Sequence, residues 1–402
     1  MDNAATSFPK PAAVHEAMMR FATELGASPG RGAYAEAREA GRLMYECRQR
    51  ICQLINGEKP EHVIFTLNTS DALNIGIRGV VQFARTSQNK RPHVITTWMD
   101  HNSVLRPLNA LAQRGEVEQT RVPCDPRTGL VDPDDIRKAI QPNTCLIAVV
   151  HGSNVTGTLQ PIREIGQIAR AHDIPLLVDA AQTVGHVPVD VQADAIDLLA
   201  FPGHKGLLGP LGTGALYIRP GIESRMLTTR EGGTGSISEL DVQPEFMPDR
   251  FEPGSHNAIG IIGLSEGVKW ILDQGVEKLW AHEQSLIRTM LEGLSDLDGV
   301  TGLTLYGPSG IKHRCGVFSL RIDGIPAAQT LSDILEKEYG ILTRSGIHCA
   351  PLAHETIGTH QLNGATRLSF GPFLTTQDVR YACDALSDIC LRHACERTTV
   401  TR

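Results

Sequence analysis

The sequence predicts an α/β protein built on a mostly parallel, helix-covered sheet, followed by a smaller α+β domain. Three observations carry this. Between about residues 60 and 218 short β-rich runs alternate with helical stretches, which is the pattern of parallel strands joined by helical crossovers. At 402 residues the chain exceeds one ordinary compact core, so two domains are expected. Past about residue 280 the pattern changes to a short succession of strand, helix, strand and helix.

The strands expected in the first part cover 62–67, 93–97, 146–150, 175–178, 197–201 and 214–218. Several end in polar residues, as at His151-Gly152-Ser153-Asn154, Asp179-Ala180-Ala181-Gln182 and Gly203-His204-Lys205. Ligands of open α/β sheets bind outside the carboxyl ends of the strands, so the chemistry is expected there. From 257 to 297 apolar residues recur at helical spacing, with a break near Asp273-Gln274-Gly275. In the last part 316–322 reads as a strand, 327–338 as a helix, 365–370 as a strand and 377–393 as a helix. The resulting division is an N-terminal segment 1–15 packing with the small domain, a large domain 16–280 and a small domain 281–402. With no low-complexity linker, the two domains are expected to pack closely.

Composition narrows the function. Hydrophobic residues at 41% and charged residues at 21% are those of a globular protein, and a formal charge of -7 gives no basis for nucleic acid or an anionic membrane as partner. The 9 cysteines form neither a dense framework nor a Cys-x-x-Cys pair, so reduced thiols in a cytoplasm and no metal are expected. No stretch approaches the ~20 apolar residues of a membrane span, and no basic-then-apolar leader opens the chain.

Lys205 follows an apolar strand in Phe201-Pro202-Gly203-His204-Lys205-Gly206, where glycines recur. A lysine buried at a strand end can have its pKa lowered enough to form a Schiff base; alone it reads as a surface lysine. Asp179, after Pro175-Leu176-Leu177-Val178, suits a carboxylate facing a cofactor's ring nitrogen, and equally a helix cap. Asn68-Thr69-Ser70-Asp71 offers hydroxyls and free N–H groups for a phosphate where a strand gives way to a helix. Neither a GxGxxG nor a GxxxxGK[ST] element is present, which removes support for nucleotide binding. Cys349 lies in Arg344-Ser345-Gly346-Ile347-His348-Cys349-Ala350-Pro351, a loop in which His348 and Arg344 are expected to favour a thiolate. Cys47, Cys52, Cys383 and Cys390 read as small core residues.

Asp179-Ala180-Ala181-Gln182 followed by Gly203-His204-Lys205 resembles the class V aminotransferase group of fold-type-I pyridoxal-phosphate (PLP) enzymes. Within it the chain is most similar to the cysteine desulfurase and selenocysteine lyase family, from Asp2-Asn3-Ala4-Ala5-Thr6 to Arg367-Leu368-Ser369-Phe370. The resemblance implies a seven-stranded large-domain sheet, a homodimer and PLP on Lys205. It implies that His101 stacks on the ring and relays protons, that Asp179 meets the ring nitrogen, and that Asn154 and Gln182 bond the ring-hydroxyl side. Thr69, Ser70 and His204 would bind the phosphate, with Ser255 donated by the second subunit. Arg367, with Asn154 and Arg344, would bind the substrate carboxylate, and Cys349 would take sulfur from cysteine as a persulfide, releasing alanine to leave the sulfur for an acceptor protein. The short run from 344 to 358 looks like the compact cysteine loop of group II desulfurases.

Two positions depart from the family pattern. Pro202 stands where a Ser or Thr is usual, so one phosphate-binding hydroxyl is expected to be missing, and Tyr34 stands where related desulfurases often have histidine. Two other readings stay open at this point: a selenocysteine lyase or other C–S β-lyase, and a non-catalytic sulfur-carrier or interaction scaffold of the same fold.

Overall fold

A computed structural model of the chain describes residues 1–29, 32–88, 90–237, 239–295, 297 and 302–400. Its large sheet contains β1 (Val63–Thr66), β2 (His93–Thr97), β3 (Glu118–Val122), β4 (Thr144–Val150), β5 (Leu176–Asp179), β6 (Leu198–Pro202) and β7 (Gly214–Ile218), in the spatial order β1-β7-β6-β5-β4-β2-β3. Strands β3, β2, β4, β5 and β6 are parallel, whereas β7 is antiparallel to both β6 and β1. It follows that β1 points the same way as the parallel set, and the carboxyl ends of β1, β2, β4, β5 and β6 share one edge.

The large-domain helices are α1 (Ala12–Arg20), α2 (Ala35–Leu54), α3 (Thr69–Gln88), α4 (Asn102–Gln113), α5 (Pro133–Ala139), α6 (Ile162–Ala171) and α7 (Ala258–Gln274). They cover both faces, which is why β4 reads as an unbroken apolar run: residues 145–150 are all buried. Alternation along the strands sends Ile147, Val149, Val178, Leu199 and Phe201 toward α2, α5, α6 and α7. Leu146, Ala148, Leu177, Leu198 and Ala200 face α3 and α4. Helix α6 turns Ile162, Ile165, Ile168 and Ala169 inward, and Gly166 lets it lie close, since a Cβ there would sit 2.1 Å from the carbonyl oxygen of Asp194.

The small sheet holds β8 (Leu303–Tyr306), β9 (Val317–Ile322), β10 (Arg344–Gly346) and β11 (Ala365–Ser369) in the order β10-β11-β9-β8, antiparallel throughout. Helices α8 (Val276–Ser295), α9 (Ala328–Tyr339) and α11 (Thr376–Val400) pack Leu286, Met290, Leu335 and Leu386 against Phe318, Leu320 and Leu368. Full burial of each such side chain contributes roughly 1.5–3 kcal/mol. Short helix α10 (Pro351–Thr356) follows the cysteine loop.

The first residues touch both sheets. The Ser369 amide donates to the Met1 carbonyl at 2.8 Å, and the Ser7 amide donates to the His204 carbonyl at 3.0 Å. Among the described residues no helix is long and apolar enough to cross a membrane.

Candidate active site

The shared carboxyl edge gathers most of the residues singled out in the sequence. Thr69 and Ser70 open α3, His101 caps α4, Asn154 follows β4, Asp179 ends β5 with Gln182 just beyond, and His204 and Lys205 follow β6. All of them line one pocket, together with Asn68, Ser103 and Gly152, with a cavity volume of ≈ 140 Å³.

Lys205 is only partly accessible, and its Nζ makes no hydrogen bond among the described residues. Burial brings its pKa down to about 8; Asp179 and Cys349 oppose the fall, while Arg367 and Arg344 add to it. Asp179 is 3% exposed, and burial raises its pKa to about 6 against the amide of Ala181, which donates to Oδ1 at 3.0 Å, and the charge of Lys205. The pair sets a buried acid beside a buried base, each weakened by its surroundings.

His101 accepts the Ser103 amide on Nδ1 at 3.1 Å, so a neutral ring carries its proton on Nε2. Burial, with Lys205 next in weight, lowers its pKa to about 4, which makes it a neutral donor near neutrality. Ser103 Oγ, 3.0 Å from His101 Nδ1, also lies 2.7 Å from Ser70 Oγ at the start of α3, beside the amides that open a helix. His204 Nδ1 is 3.1 Å from Thr6 Oγ1, and burial lowers its pKa to about 4. Gln182 donates Nε2 to the Ala4 carbonyl at 3.0 Å, leaving its amide oxygen for the pocket.

The cysteine loop is a tight turn. His348 and Cys349 have φ of 51° and 57°, a left-handed pair as in a type I′ turn, and the Ala350 amide donates back to the Ile347 carbonyl at 3.1 Å. Non-glycine residues adopt this region at a cost, so something must hold it. Asn154 Nδ2 donates to the His348 carbonyl at 2.6 Å, and the Asn102 amide donates to the Cys349 carbonyl at 2.9 Å. Behind the turn Ala350 and Ala353 pack with Met99, Val150 and Val155. The result is a fixed turn that leaves Cys349 exposed.

His348 does not serve the thiol as the sequence suggested. It is 5% exposed, and burial, with Arg367 next, drives its pKa to about 2, so it is neutral and brings no cation to Cys349. The positive charge nearby belongs to two arginines. Arg344 and Arg367 are opposite one another in the β10–β11 register, which places their side chains on one face. Arg344 is exposed; Arg367 is 2% exposed, donating Nη1 to the Asn154 carbonyl at 3.1 Å and Nη2 to Asp2 Oδ1 at 2.9 Å, with Nε unpaired.

Arg344, Arg367, Cys349, Ser255 and Tyr34 stand outside the pocket that Lys205 shares with Asp179. Arg367 and Cys349 approach it from the small-sheet side. Ser255 is exposed and lines a separate groove with Tyr45, Arg48 and His256. Tyr34 is exposed at the start of α2 and lines neither; Gly30 and Arg31 before it fall outside the described residues.

Sequence reasoning missed Ser103, Asp100 and Asp2. Ser103 sits two residues after a helix-capping histidine, the one signal that it reaches the pocket. Asp100 is fully buried, and burial raises its pKa to about 7; it accepts the amides of Thr97 at 2.6 Å and Val150 at 2.7 Å, locking the turn that presents His101 to the end of β4. Asp2 pairs with the buried Arg367.

Residues 1–381 match the aminotransferase class-V family. A probable cysteine desulfurase of Methanothermobacter thermautotrophicus is 34% identical over 389 residues, 96% of this chain and 94% of that protein. Cysteine desulfurase IscS of Dictyoglomus turgidum is 31% identical over 402 residues, covering 97% and 93%. Among solved structures, the apo cysteine desulfurase from Thermococcus onnurineus NA1 superposes with a TM-score of 0.88 at 31% identity, covering 97% of this chain and 94% of that one.

Proposed function

We propose, from the premise that this chain belongs to the aminotransferase class-V family and to the cysteine desulfurases within it, that it converts L-cysteine to L-alanine with PLP and leaves the sulfur as a persulfide on Cys349. The observation that carries the reading is the joining of two sites. The pocket of Lys205 and Asp179 is tied to the turn of Cys349 through Asn154, which lines the first and hydrogen-bonds the second.

The residues suit PLP: a lysine amine with no hydrogen-bond partner among the described residues, a buried carboxylate, and a hydroxyl-lined helix start in the same pocket. Lys205 would hold the aldehyde, Asp179 the ring nitrogen, Asn154 and Gln182 the ring-hydroxyl side, His101 the ring face, and Thr69, Ser70 and His204 the phosphate. When bound, PLP supplies an electron sink for a substrate that loses its α-proton.

The chain's own groups then divide the work. Arg367, flanked by Arg344, holds the substrate carboxylate, because a planar guanidinium pairs with it side-on. Lys205 takes the α-proton: an amine with pKa about 8 is neutral often enough near neutral pH to act as a base. The Cys349 thiolate attacks the substrate sulfur. A sulfur–sulfur bond forms, the carbon–sulfur bond breaks with its electron pair going to the β-carbon, which takes up a proton, and return of the α-proton from Lys205 gives alanine. His101, neutral with Nε2–H, donates a hydrogen bond during this exchange. Exposure of Cys349 leaves the persulfide open to an acceptor protein. Ser255 completes the phosphate site of a partner subunit in a homodimer.

The test is to compare alanine release from L-cysteine, L-selenocysteine and L-cystine. A desulfurase turns over cysteine in a manner that depends on Cys349. A clear preference for cystine with Cys349 dispensable overturns the reading in favour of a C–S lyase, and turnover of selenocysteine alone overturns it in favour of a selenocysteine lyase.

A further inference from the structure

Arg367 carries a buried charge whose partners are few. It is 2% exposed, and a guanidinium removed from water is tolerated only when it is paired and hydrogen-bonded. Burial lowers its pKa; Asp2 opposes that fall most strongly, by hydrogen bond and by charge, and Cys349 more weakly. Asp2 Oδ1 accepts from Nη2 at 2.9 Å, the Asn154 carbonyl accepts from Nη1 at 3.1 Å, and Nε has no partner. Among the described residues Asp2 is the carboxylate within ion-pair distance of Arg367.

The contact is built rather than incidental. Asp2 forms a backbone bridge to Ser369, two residues along β11 from Arg367. Ser369 is itself held by the Met1 carbonyl and by its Oγ, which accepts the Ala4 amide at 2.9 Å. A carboxylate fixed to the strand that carries the arginine can orient its guanidinium. Asp2 engages Nη2 through a single oxygen, and Nε–H is buried with no hydrogen-bond partner among the described residues, an unmet donor that a second carboxylate entering beside it would satisfy. The orientation is also passed on: the Asn154 carbonyl meets Arg367, while its side-chain amide meets the His348 carbonyl beside Cys349.

We propose that Asp2 is a positioning residue of the substrate site, holding Arg367 with its unmet Nε–H toward the substrate carboxylate and so setting selectivity for α-carboxylate substrates. This rests on the reading of Arg367 as the carboxylate receptor. Asp2 touches neither cofactor nor reacting atoms; it acts through Arg367. Loss of the carboxylate weakens substrate and transition state together, which raises KM and spares kcat.

The test uses PLP-loaded wild type, Asp2→Ala, Asp2→Asn and Arg367→Lys. Steady-state kinetics with L-cysteine are paired with calorimetric binding of L-alanine and of cysteamine, which lacks the carboxylate. Asp2→Ala should raise KM for cysteine and Kd for alanine by roughly tenfold, the effect of one hydrogen bond to a charged group. Its kcat should stay within about twofold and its cysteamine affinity should not change. Asp2→Asn, which keeps an acceptor oxygen without the charge, should recover part of the loss.

If Arg367→Lys leaves KM and alanine affinity at wild-type values, the carboxylate-receptor reading fails and the proposal falls with it. If Arg367→Lys weakens both but neither Asp2 variant does, the receptor reading stands and the role of Asp2 is wrong. Tighter cysteine binding in Asp2→Ala, or equal losses for alanine and cysteamine, also overturns it: the first makes Asp2 a competitor of the substrate, the second a purely structural residue.

Discussion

Lys205→Met in the PLP-free protein should stabilise the fold near neutral pH. Methionine keeps the length of the lysine stem and removes the amine. Burial holds the Lys205 pKa at about 8 against an ordinary 10.5, and each pH unit of such a displacement is ~1.4 kcal/mol. Taken in full that displacement is ~3.5 kcal/mol, and the part of Lys205 that stays in contact with solvent reduces the cost of keeping the ammonium in the folded protein to roughly 2–3 kcal/mol at about pH 7, where it is charged in both the folded and unfolded chain. The sign follows from a depressed basic pKa. The penalty is full below about pH 8 and fades as pH rises toward 10.5, because the unfolded lysine then sheds its proton as well. Urea denaturation of both proteins at about pH 7, 9 and 10 reads the difference directly. The variant should be more stable by roughly 2–3 kcal/mol at the lowest pH, and the gap should shrink stepwise at the higher ones. A variant no more stable than wild type at pH 7, or a gap constant with pH, refutes the idea that Lys205 is held as a strained, weakened base.

Asp179→Asn removes the buried carboxylate proposed to face the ring nitrogen, so PLP affinity followed by absorbance near ~420 nm should fall roughly tenfold or more; unchanged affinity would remove Asp179 from the cofactor site. Asn154→Ala breaks the bond to the His348 carbonyl and frees the Cys349 turn, so sulfur transfer should slow by roughly tenfold or more while PLP stays bound; unaltered transfer would show that the turn holds itself. Ser255→Ala should weaken PLP retention while variant and wild type both sediment as the proposed dimer, and a strictly monomeric, fully active wild type would refute a shared site.

Much of this was legible in the sequence because the helix-covered sheet writes its strands as apolar runs. Residues 146–150 and 197–201 are of that kind, and both are strands. Strand β3 was not legible: its residues Glu118 to Arg121 are polar at a sheet edge, with no apolar signal to read. The reversal of β7 was not legible either, since Gly214-Ala215-Leu216-Tyr217-Ile218 is buried in either direction. Lys205, Asp179, Thr69 and Ser70 were readable because they lie at or just after strand ends that the topology brings together, whereas His101, Asn154 and Gln182 came from the family resemblance. Ser103 and Asp2 escaped because their partners are distant in sequence or belong to another element: Ser70 across 33 residues, and Arg367 across 365. The polar look of His348 misled for the same reason, as its burial depends on how the small sheet closes over it.

The most direct test of the whole account is to locate the sulfur. Wild type and Cys349→Ala, both loaded with PLP, are mixed with a limited amount of L-cysteine; alanine is measured, and peptide mass spectrometry maps persulfides. The account predicts a persulfide on Cys349 in the wild type, and in the variant retained PLP but little alanine and no persulfide elsewhere. The buried thiols offer no substitute, since burial raises the Cys47, Cys145 and Cys315 pKa values well above the ordinary range. Wild-type persulfide on another cysteine, or undiminished alanine from Cys349→Ala, would contradict it.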